Sequence, residues 1–195
     1  MLMSRSIQKL SFKYEYLKLE LEELDEIVSH RTKIFNSTFG EYFIDKSNEY
    51  WINEETGEIR KEPPREEKST KKKSSPKKLK DLYKKLSTYT HPDKGGSTGE
   101  FQEIKESYEN NDFLGLLKFA SKYKLDIVAD DDDVDLVNKS IDLLKEKIQK
   151  HKNSLAYNFF SENKIKRMAV VKEIERIYQL NFTEEELNKF LEVKE

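Results

Sequence analysis

Two neighbouring groups of residues have types and spacing that could do chemistry. Residues 89–96 read YTHPDKGG, which places the tripeptide His91, Pro92 and Asp93 before a pair of glycines. The preceding residues 71–85 hold eight lysines and one acidic residue. A dense set of cations beside an exposed carboxylate can bind a partner of complementary charge, because such surfaces speed encounter and fix register. The chemistry indicated here is therefore recognition.

Catalytic and metal sites are not indicated elsewhere in the sequence. The chain has no cysteine, which excludes disulfides, zinc–thiolate sites and thiol nucleophiles. No Ser/His/Asp spacing, glycine-rich phosphate loop or paired-carboxylate site is present, and His30 and His151 have no further ligand nearby in the sequence. The aspartate run 130–133 lacks the glycine and terminal glutamate of a calcium loop. We expect no enzyme activity, no cofactor and no metal.

Two short helices are predicted to position the tripeptide. Ser75 is suited to the N-cap and Pro76 to the first helical position, and Pro92 predicts a helix end at Thr90. The next helix has a capping box at residues 97–100. The apolar positions predict matching faces, Leu79, Leu82, Leu86 and Tyr89 on the first helix and Phe101, Ile104 and Tyr108 on the second. These two helices are therefore predicted to form an antiparallel helical hairpin with HPDKGGSTG at its tip.

The lysines of the first helix are not explained by helix stability. Cations in the first turn oppose the helix macrodipole, and like charges three or four residues apart repel each other. A basic stripe that faces an acidic partner would account for this density. The alternative interpretation is a solvated face that only keeps the chain soluble.

Longer helices are predicted on both sides of this hairpin. A heptad pattern in the N-terminal part predicts a helix from about Ile7 to Phe39 with Gly40 as its end. The residues of this pattern are Leu10, Tyr14, Leu17, Leu21, Leu24, Val28, Arg31 and Phe35. Packing within the chain is the preferred interpretation of this pattern, and a homo-oligomer formed through these N-terminal heptads is the alternative.

The C-terminal third is also predicted to be helical. A second heptad pattern predicts a helix from about Val134 to Phe160, with the aspartate run at its start. Its positions are Val137, Ile141, Leu144, Ile148, His151 and Leu155. Helices from about Lys164 to Leu180 and from a capping box at Thr183 follow. A minority hypothesis assigns the aspartates a regulatory role, in which they screen the lysines and weaken partner binding.

The predicted organisation has five parts. A long helix occupies residues 1–48, a small β-hairpin residues 49–61, a polar lysine-rich linker residues 62–74, the helical hairpin residues 75–125, and a C-terminal helical region that packs with the N-terminal helix residues 126–195. With 38% charged residues, 35% hydrophobic residues and a mean hydropathy of −0.89, long solvated helices are favoured. The predicted fold class is mainly α.

Composition also limits the compartment and the partners. No apolar run approaches the roughly 18 residues that span a bilayer, and the N-terminus lacks an apolar signal-peptide core. We expect no membrane association and a cytoplasmic protein, with the nucleus as an alternative. The net charge of −2 disfavours nucleic acid as a partner.

Residues 82–96 and 101–109, LYKKLSTYTHPDKGG and FQEIKESYE, resemble the J-domain of DnaJ-type co-chaperones. The shared pattern is a tyrosine with basic residues on helix II, His-Pro-Asp in the loop, and F-x-x-I-x-x-x-Y on helix III. All three parts occur in order and at the family's spacing. The resemblance covers about residues 76–110, and the HPDKGG variant is similar to J-domains of polyomavirus T antigens and of large DNA viruses. It therefore suggests a viral protein of the host cytoplasm or virion.

The resemblance implies a DnaK-type ATPase chaperone as the partner, whose ATP hydrolysis a J-domain stimulates, and client polypeptides as further partners. In that family the loop aspartate meets an arginine of the partner, so Asp93 would supply the charge and His91 and Pro92 its geometry. The resemblance also assigns partner contacts to residues of helix II and to the residue after the tripeptide, namely Lys77, Lys80, Tyr83, Lys84, Lys85 and Lys94.

The sequence departs from the family in one important respect. The family's helix I has no counterpart before residue 75, so we expect the long heptad helices to cover the apolar face of the hairpin instead. No glycine/phenylalanine-rich segment or cysteine-rich module follows. The alternative function is a structural or virion-assembly protein that uses a J-like hairpin as a docking module.

Overall fold

The fold is mainly α-helical, as the sequence predicts. A computed structural model describes residues 2–44, 51–52, 59–60, 76–94 and 96–195. The helices are α1 (Arg5–Ile44), α2 (Lys77–Thr90), α3 (Thr98–Glu109), α4 (Phe113–Lys122), α5 (Val134–Lys152), α6 (Leu155–Phe159), α7 (Lys164–Tyr178) and α8 (Glu184–Glu192). The short strands are β1 (Leu2–Met3), β2 (Trp51–Ile52), β3 (Ile59–Arg60) and β4 (Val128–Ala129).

The chain divides into two compact units. The first comprises Met1–Glu20 and Ser69–Lys147, and the second comprises Leu21–Lys68 and Ile148–Glu195. The boundary after Glu20 falls inside α1, and the boundary after Lys147 falls inside α5. The predicted parts 1–48 and 126–195 therefore each contribute to both units. Among the described residues, no helix combines the length and apolarity that crossing a membrane requires.

The core of the first unit is formed where α2, α3 and α4 pack against one another. Its fully buried side chains include Leu79, Leu86, Ile104, Phe113 and Leu116. Full burial of each such side chain contributes about 1.5–3 kcal/mol. Helix α4 was not among the elements predicted from the sequence, and it supplies much of the cover that was expected from the long heptad helices.

The start of α1 and most of α5 also belong to the first unit. Ile7, Tyr14 and Leu17 of α1 are buried, as are Val137 and Ile141 of α5. Strand β1 runs parallel to β4, with Leu2 opposite Val128, a pairing that the sequence did not predict. Most heptad residues of both helices therefore bury their side chains within the chain, whereas Leu10 and Leu21 are half-buried.

The second unit has an aromatic core. Phe35 and Phe39 of α1 meet Phe159 of α6 and Phe190 of α8. The rings of Phe39 and Phe190 lie 4.7 Å apart, and those of Phe39 and Phe159 lie 5.2 Å apart at 76°. Tilted and edge-to-face pairs of this kind contribute about 0.5–1.5 kcal/mol each beyond their buried area.

Two predicted helix boundaries are wrong. Helix α1 passes through Gly40 and ends at Ile44. A glycine inside a helix costs only about 1 kcal/mol relative to alanine, which packing of Phe35 and Phe39 offsets. The helix predicted from Val134 to Phe160 is broken after Lys152, because the Ser154 hydroxyl caps α6 and accepts a hydrogen bond from the Tyr157 amide at 3.2 Å.

The predicted β-hairpin is represented by its two strands. β2 and β3 are antiparallel, with Trp51 opposite Arg60 and Ile52 opposite Ile59. The turn between them, residues 53–58, and the predicted linker, residues 62–74, lie outside the described residues.

Candidate partner-binding site at the tip of the helical hairpin

The tip joins α2 to α3 through one tight turn. After Thr90 the chain becomes extended at His91 (φ −61°, ψ 128°), and Pro92–Lys94 form a 3-10 turn. The His91 amide donates to the carbonyl oxygen of Ser87 at 3.1 Å, and the Gly96 amide donates to the carbonyl oxygen of His91 at 3.2 Å. These bonds close the end of α2, as predicted for a helix ending before Pro92.

The Asp93 carboxylate points into solvent. Its side chain is 86% exposed, whereas that of His91 is 43% exposed. His91 Nδ1 accepts a hydrogen bond from the Asp93 amide at 3.3 Å and lies 3.6 Å from the Asp93 carboxylate. The imidazole ring also meets the Phe101 ring edge-on at 5.2 Å. His91 therefore ties the turn to α3 while the carboxylate stays accessible.

Position 96 requires glycine because the backbone there lies very close to the backbone of Thr90. A Cβ atom at this position would lie 2.3 Å from both the carbonyl carbon and the carbonyl oxygen of Thr90. Thr90 itself is fully buried, and its hydroxyl donates to the carbonyl oxygen of Leu86 at 3.1 Å. The returning chain thus packs directly on the end of α2. Gly95 lies outside the described residues.

The predicted lysines are exposed but do not share one face. At about 100° per residue, Lys77, Lys80 and Lys84 fall within about 60° of one another, in a row that leads along α2 toward His91. Lys85 lies about 100° from Lys84. Within the part of the chain that the structure describes, no carboxylate forms an ion pair with any of these four lysines. The side chain of Lys94 is outside the described part.

Tyr83 connects α2 to α3. Its ring stacks on the Tyr108 ring with centroids 4.3 Å apart and an angle of 13° between the planes. Both side chains are half-buried, so Tyr108 is less buried than its place on the predicted apolar face of α3 indicates. One face of Tyr83 is occupied within the hairpin, and a partner could reach only the remaining surface.

Lys78 forms an ion pair that sequence reasoning missed. Its ammonium group contacts Asp133, whose side chain is only 4% exposed. The same carboxylate accepts a hydrogen bond from the Asp130 amide at 3.1 Å. The regulatory hypothesis for the aspartate run thus has a structural contact at one lysine, and Asp131 instead accepts a hydrogen bond from Ser4. Lys78 and Asp133 are 55 positions apart, so no local pattern in the sequence could have indicated this ion pair.

Glu100 has a different role from the one predicted. The Ser97 hydroxyl accepts a hydrogen bond from the Glu100 amide at 3.5 Å, which is one half of a capping box. The Glu100 carboxylate, however, accepts hydrogen bonds from Lys122 and Tyr123 at the end of α4. These bonds, that from Lys122 first, lower the pKa of Glu100 and raise the pKa values of Lys122 and Tyr123. The start of α3 is thereby attached to α4.

The start of α2 also differs from the prediction by one residue. Pro76 occupies the N-cap position and its carbonyl oxygen accepts a hydrogen bond from the Lys80 amide at 3.1 Å, so the helix begins at Lys77. Ser75, the predicted N-cap, lies outside the described residues.

The groups at this tip are suited to electrostatic recognition of a charged partner. Its polar groups are one exposed carboxylate, one imidazole and a row of ammonium groups. In the described ranges no cluster of three or more His, Cys, Asp or Glu residues could hold a metal ion. Comparisons of the chain with protein-family models, with curated proteins and with solved structures found no match.

Proposed function

We propose that this chain is a co-chaperone of the J-domain type, which stimulates ATP hydrolysis by a DnaK-type chaperone. The observation that carries the proposal is the position of the Asp93 carboxylate, 86% exposed at the end of a closed two-helix hairpin. The J-domain resemblance of residues 76–110 supplies the partner. The proposal implies a compartment that contains such a chaperone, and the cytoplasm is the first to test.

Asp93 is the residue that would act on the partner. A carboxylate and an arginine guanidinium form short, directional, charge-assisted hydrogen bonds that depend on the placement of both groups. His91 fixes the Asp93 backbone through its 3.3 Å hydrogen bond and its contact with Phe101. Pro92 restricts the backbone between them. The loop therefore holds the backbone of Asp93 in place before the partner arrives, which lowers the entropy lost on binding.

The lysine row would guide this contact. Lys77, Lys80 and Lys84 lie on the side of α2 that leads to His91, and they have no ion-pair partner among the described residues. Free cations in a row attract an acidic surface, which raises the association rate and sets the orientation of the complex. The remaining proposed contacts, Tyr83, Lys85 and Lys94, lie at the margins of this row or beyond it.

The test is single-turnover ATP hydrolysis by a DnaK-type chaperone loaded with radiolabelled ATP. The wild-type chain should accelerate hydrolysis, and His91→Gln should abolish most of the acceleration because the turn loses its internal support. His30→Gln is the matched control, since His30 is exposed on α1 far from the tip in sequence, and it should behave as wild type.

Two results would contradict the proposal. The first is equal stimulation by the wild type and His91→Gln, which would remove the tip from the mechanism. The second is no stimulation by the wild type with several DnaK-type chaperones, which would leave the hairpin as a docking module of a structural or assembly protein.

A further inference from the structure

The outward face of α1 near its start carries large apolar side chains in solvent. Phe12 is 76% exposed, Tyr16 is 66% exposed and Leu19 is 60% exposed. Their spacing of four and three residues places them on one face of the helix, whereas Tyr14 and Leu17 of the opposite face are buried. Single exposed apolar residues are ordinary, but a contiguous patch on adjacent turns marks an interaction site.

The charges along this helix change sign from one end of the patch to the other. Arg5, Lys9 and Lys13 lie at its N-terminal end, and Glu22, Glu23 and Glu26 follow it. All six are exposed and have no ion-pair partner in the described part of the chain. Arg5 lies in the first turn, where the helix macrodipole disfavours a cation, and the other five residues lie beyond its reach, so helix stability does not account for this order of charges.

We propose that this face of α1 pairs with the same face of a second copy of the chain, with the two helices antiparallel. Lys9 and Glu23 each lie seven residues, about 10 Å, from Tyr16 along the helix. An antiparallel pair centred on Tyr16 therefore brings Lys9 of each copy beside Glu23 of the other. A parallel pair would place equal charges together, which is destabilising.

This arrangement is a two-fold, isologous interface, in which the same residues serve both copies. It uses a different face from the heptad positions of the sequence analysis, because Tyr14, Leu17, Leu24 and Val28 are buried in the chain itself. A fully buried aromatic side chain covers roughly 150–250 Å². The apolar centre thus amounts to several hundred Å² for both copies, below the roughly 1,200 Å² of a standard interface. The dimer should be weak and dependent on concentration.

Sedimentation velocity across the micromolar to submillimolar range tests the pairing on the full chain. The wild type should shift from monomer to dimer as its concentration rises, and Tyr16→Glu should remain monomeric throughout. A wild type that stays monomeric would overturn the proposal, as would a dimer that Tyr16→Glu leaves intact. Circular dichroism of both proteins shows that the exposed substitution leaves the fold unchanged.

Charge exchange tests the antiparallel orientation. Lys9→Glu alone and Glu23→Lys alone should each weaken self-association at least several-fold, because each creates equal charges at both ends of the pair. A mixture of the two variants should associate more strongly than either alone, since the carboxylate introduced at position 9 of one copy then meets the ammonium group introduced at position 23 of the other. Lys139→Glu, an exposed change on α5, is the control and should behave as wild type. Equal association of the mixture and the separate variants would overturn the antiparallel arrangement.

Discussion

Gly96→Ala is the substitution that connects the packing of the hairpin tip to its proposed activity. The added Cβ atom would lie 2.3 Å from the carbonyl carbon and oxygen of Thr90 and 2.7 Å from its Cα atom. Carbon atoms in favourable contact are about 3.5–4.0 Å apart. Because the obstructing atoms belong to the backbone of a buried residue, the turn itself must move by about 1 Å.

The free-energy cost follows from this displacement. Overpacking of a well-packed site typically costs about 1–3 kcal/mol. Each 1.4 kcal/mol corresponds to a tenfold change in an equilibrium constant, so the unfolding equilibrium should change by about 5- to 150-fold. The hydrogen bond from the Gly96 amide to the carbonyl oxygen of His91, 3.2 Å long, would lengthen as the turn moves.

Backbone hydrogen exchange is the appropriate assay, because it reports on α2 and α3 separately from the rest of the chain. Protection of the buried amides in these helices should fall by about the same factor in Gly96→Ala. Gly99→Ala is the matched control. Its Cβ atom would meet only the Ser97 hydroxyl at 3.8 Å, and alanine favours the helix by about 0.4–1 kcal/mol, so protection should rise slightly.

Stimulation of the chaperone should follow the same pattern. Gly96→Ala displaces the turn that holds Asp93, so stimulation should fall although His91, Pro92 and Asp93 are all present. Gly99→Ala should retain it. Equal protection of the amides in the two variants would refute the packing argument, and full stimulation by Gly96→Ala would refute the required geometry of the turn.

Three further predictions concern single contacts. Tyr14→Phe removes a hydroxyl that donates a hydrogen bond to the Asp112 carboxylate at 2.6 Å, so the free energy of unfolding measured in urea should fall by about 1.5–3 kcal/mol. Tyr16→Phe, at an exposed position, is the control and should change this free energy little. Equal effects of the two substitutions would contradict a stabilising role for the Tyr14 hydrogen bond. Lys84→Ala should slow association with a DnaK-type chaperone at low salt more than Lys85→Ala does, because Lys84 lies in the row that leads to His91 and Lys85 does not. Stopped-flow measurement of the two association rates tests this, and equal rates would contradict a guiding role for the row. Glu100→Gln should lower the melting temperature at neutral pH, where the wild-type carboxylate is ionised and bound by Lys122 and Tyr123. Because the folded-state pKa of Glu100 is lowered, this stabilisation is present above the unfolded-state pKa of about 4.5 and is lost as the pH falls through the folded-state pKa, so the difference between the two proteins should vanish in acid.

Local patterns in the sequence were sufficient for most helices. Pro92 predicted the end of α2 at Thr90, and the capping box at Thr183 is formed with Glu186 as predicted. The position of Asp93 at an exposed tip could also be predicted, because two amphipathic helices with matching faces require a turn between them. These features depend on residues within about two helical turns of one another.

The remaining features depend on contacts between distant residues. Glu100 has the right spacing for a capping box, but the carboxylate is taken by Lys122 and Tyr123, which lie 22 and 23 positions away. Gly40 would often end a helix, yet the aromatic packing of Phe35 and Phe39 carries α1 past it. The missed helix α4 is short and largely apolar, with Phe113, Leu114, Leu116 and Leu117 all buried, and a short apolar run in a sequence does not distinguish a helix from a strand.

The most direct measurement of the central claim is single-turnover ATP hydrolysis with Asp93→Asn. Asparagine has the same shape as aspartate but no charge, and the Asp93 carboxylate supports little of the fold because it is 86% exposed. Asp126→Asn removes the same charge at an exposed position outside the aspartate run and is the control. We expect Asp93→Asn to keep its melting temperature and to lose stimulation of a DnaK-type chaperone, while Asp126→Asn keeps both. Stimulation at the wild-type level by Asp93→Asn would contradict the central claim.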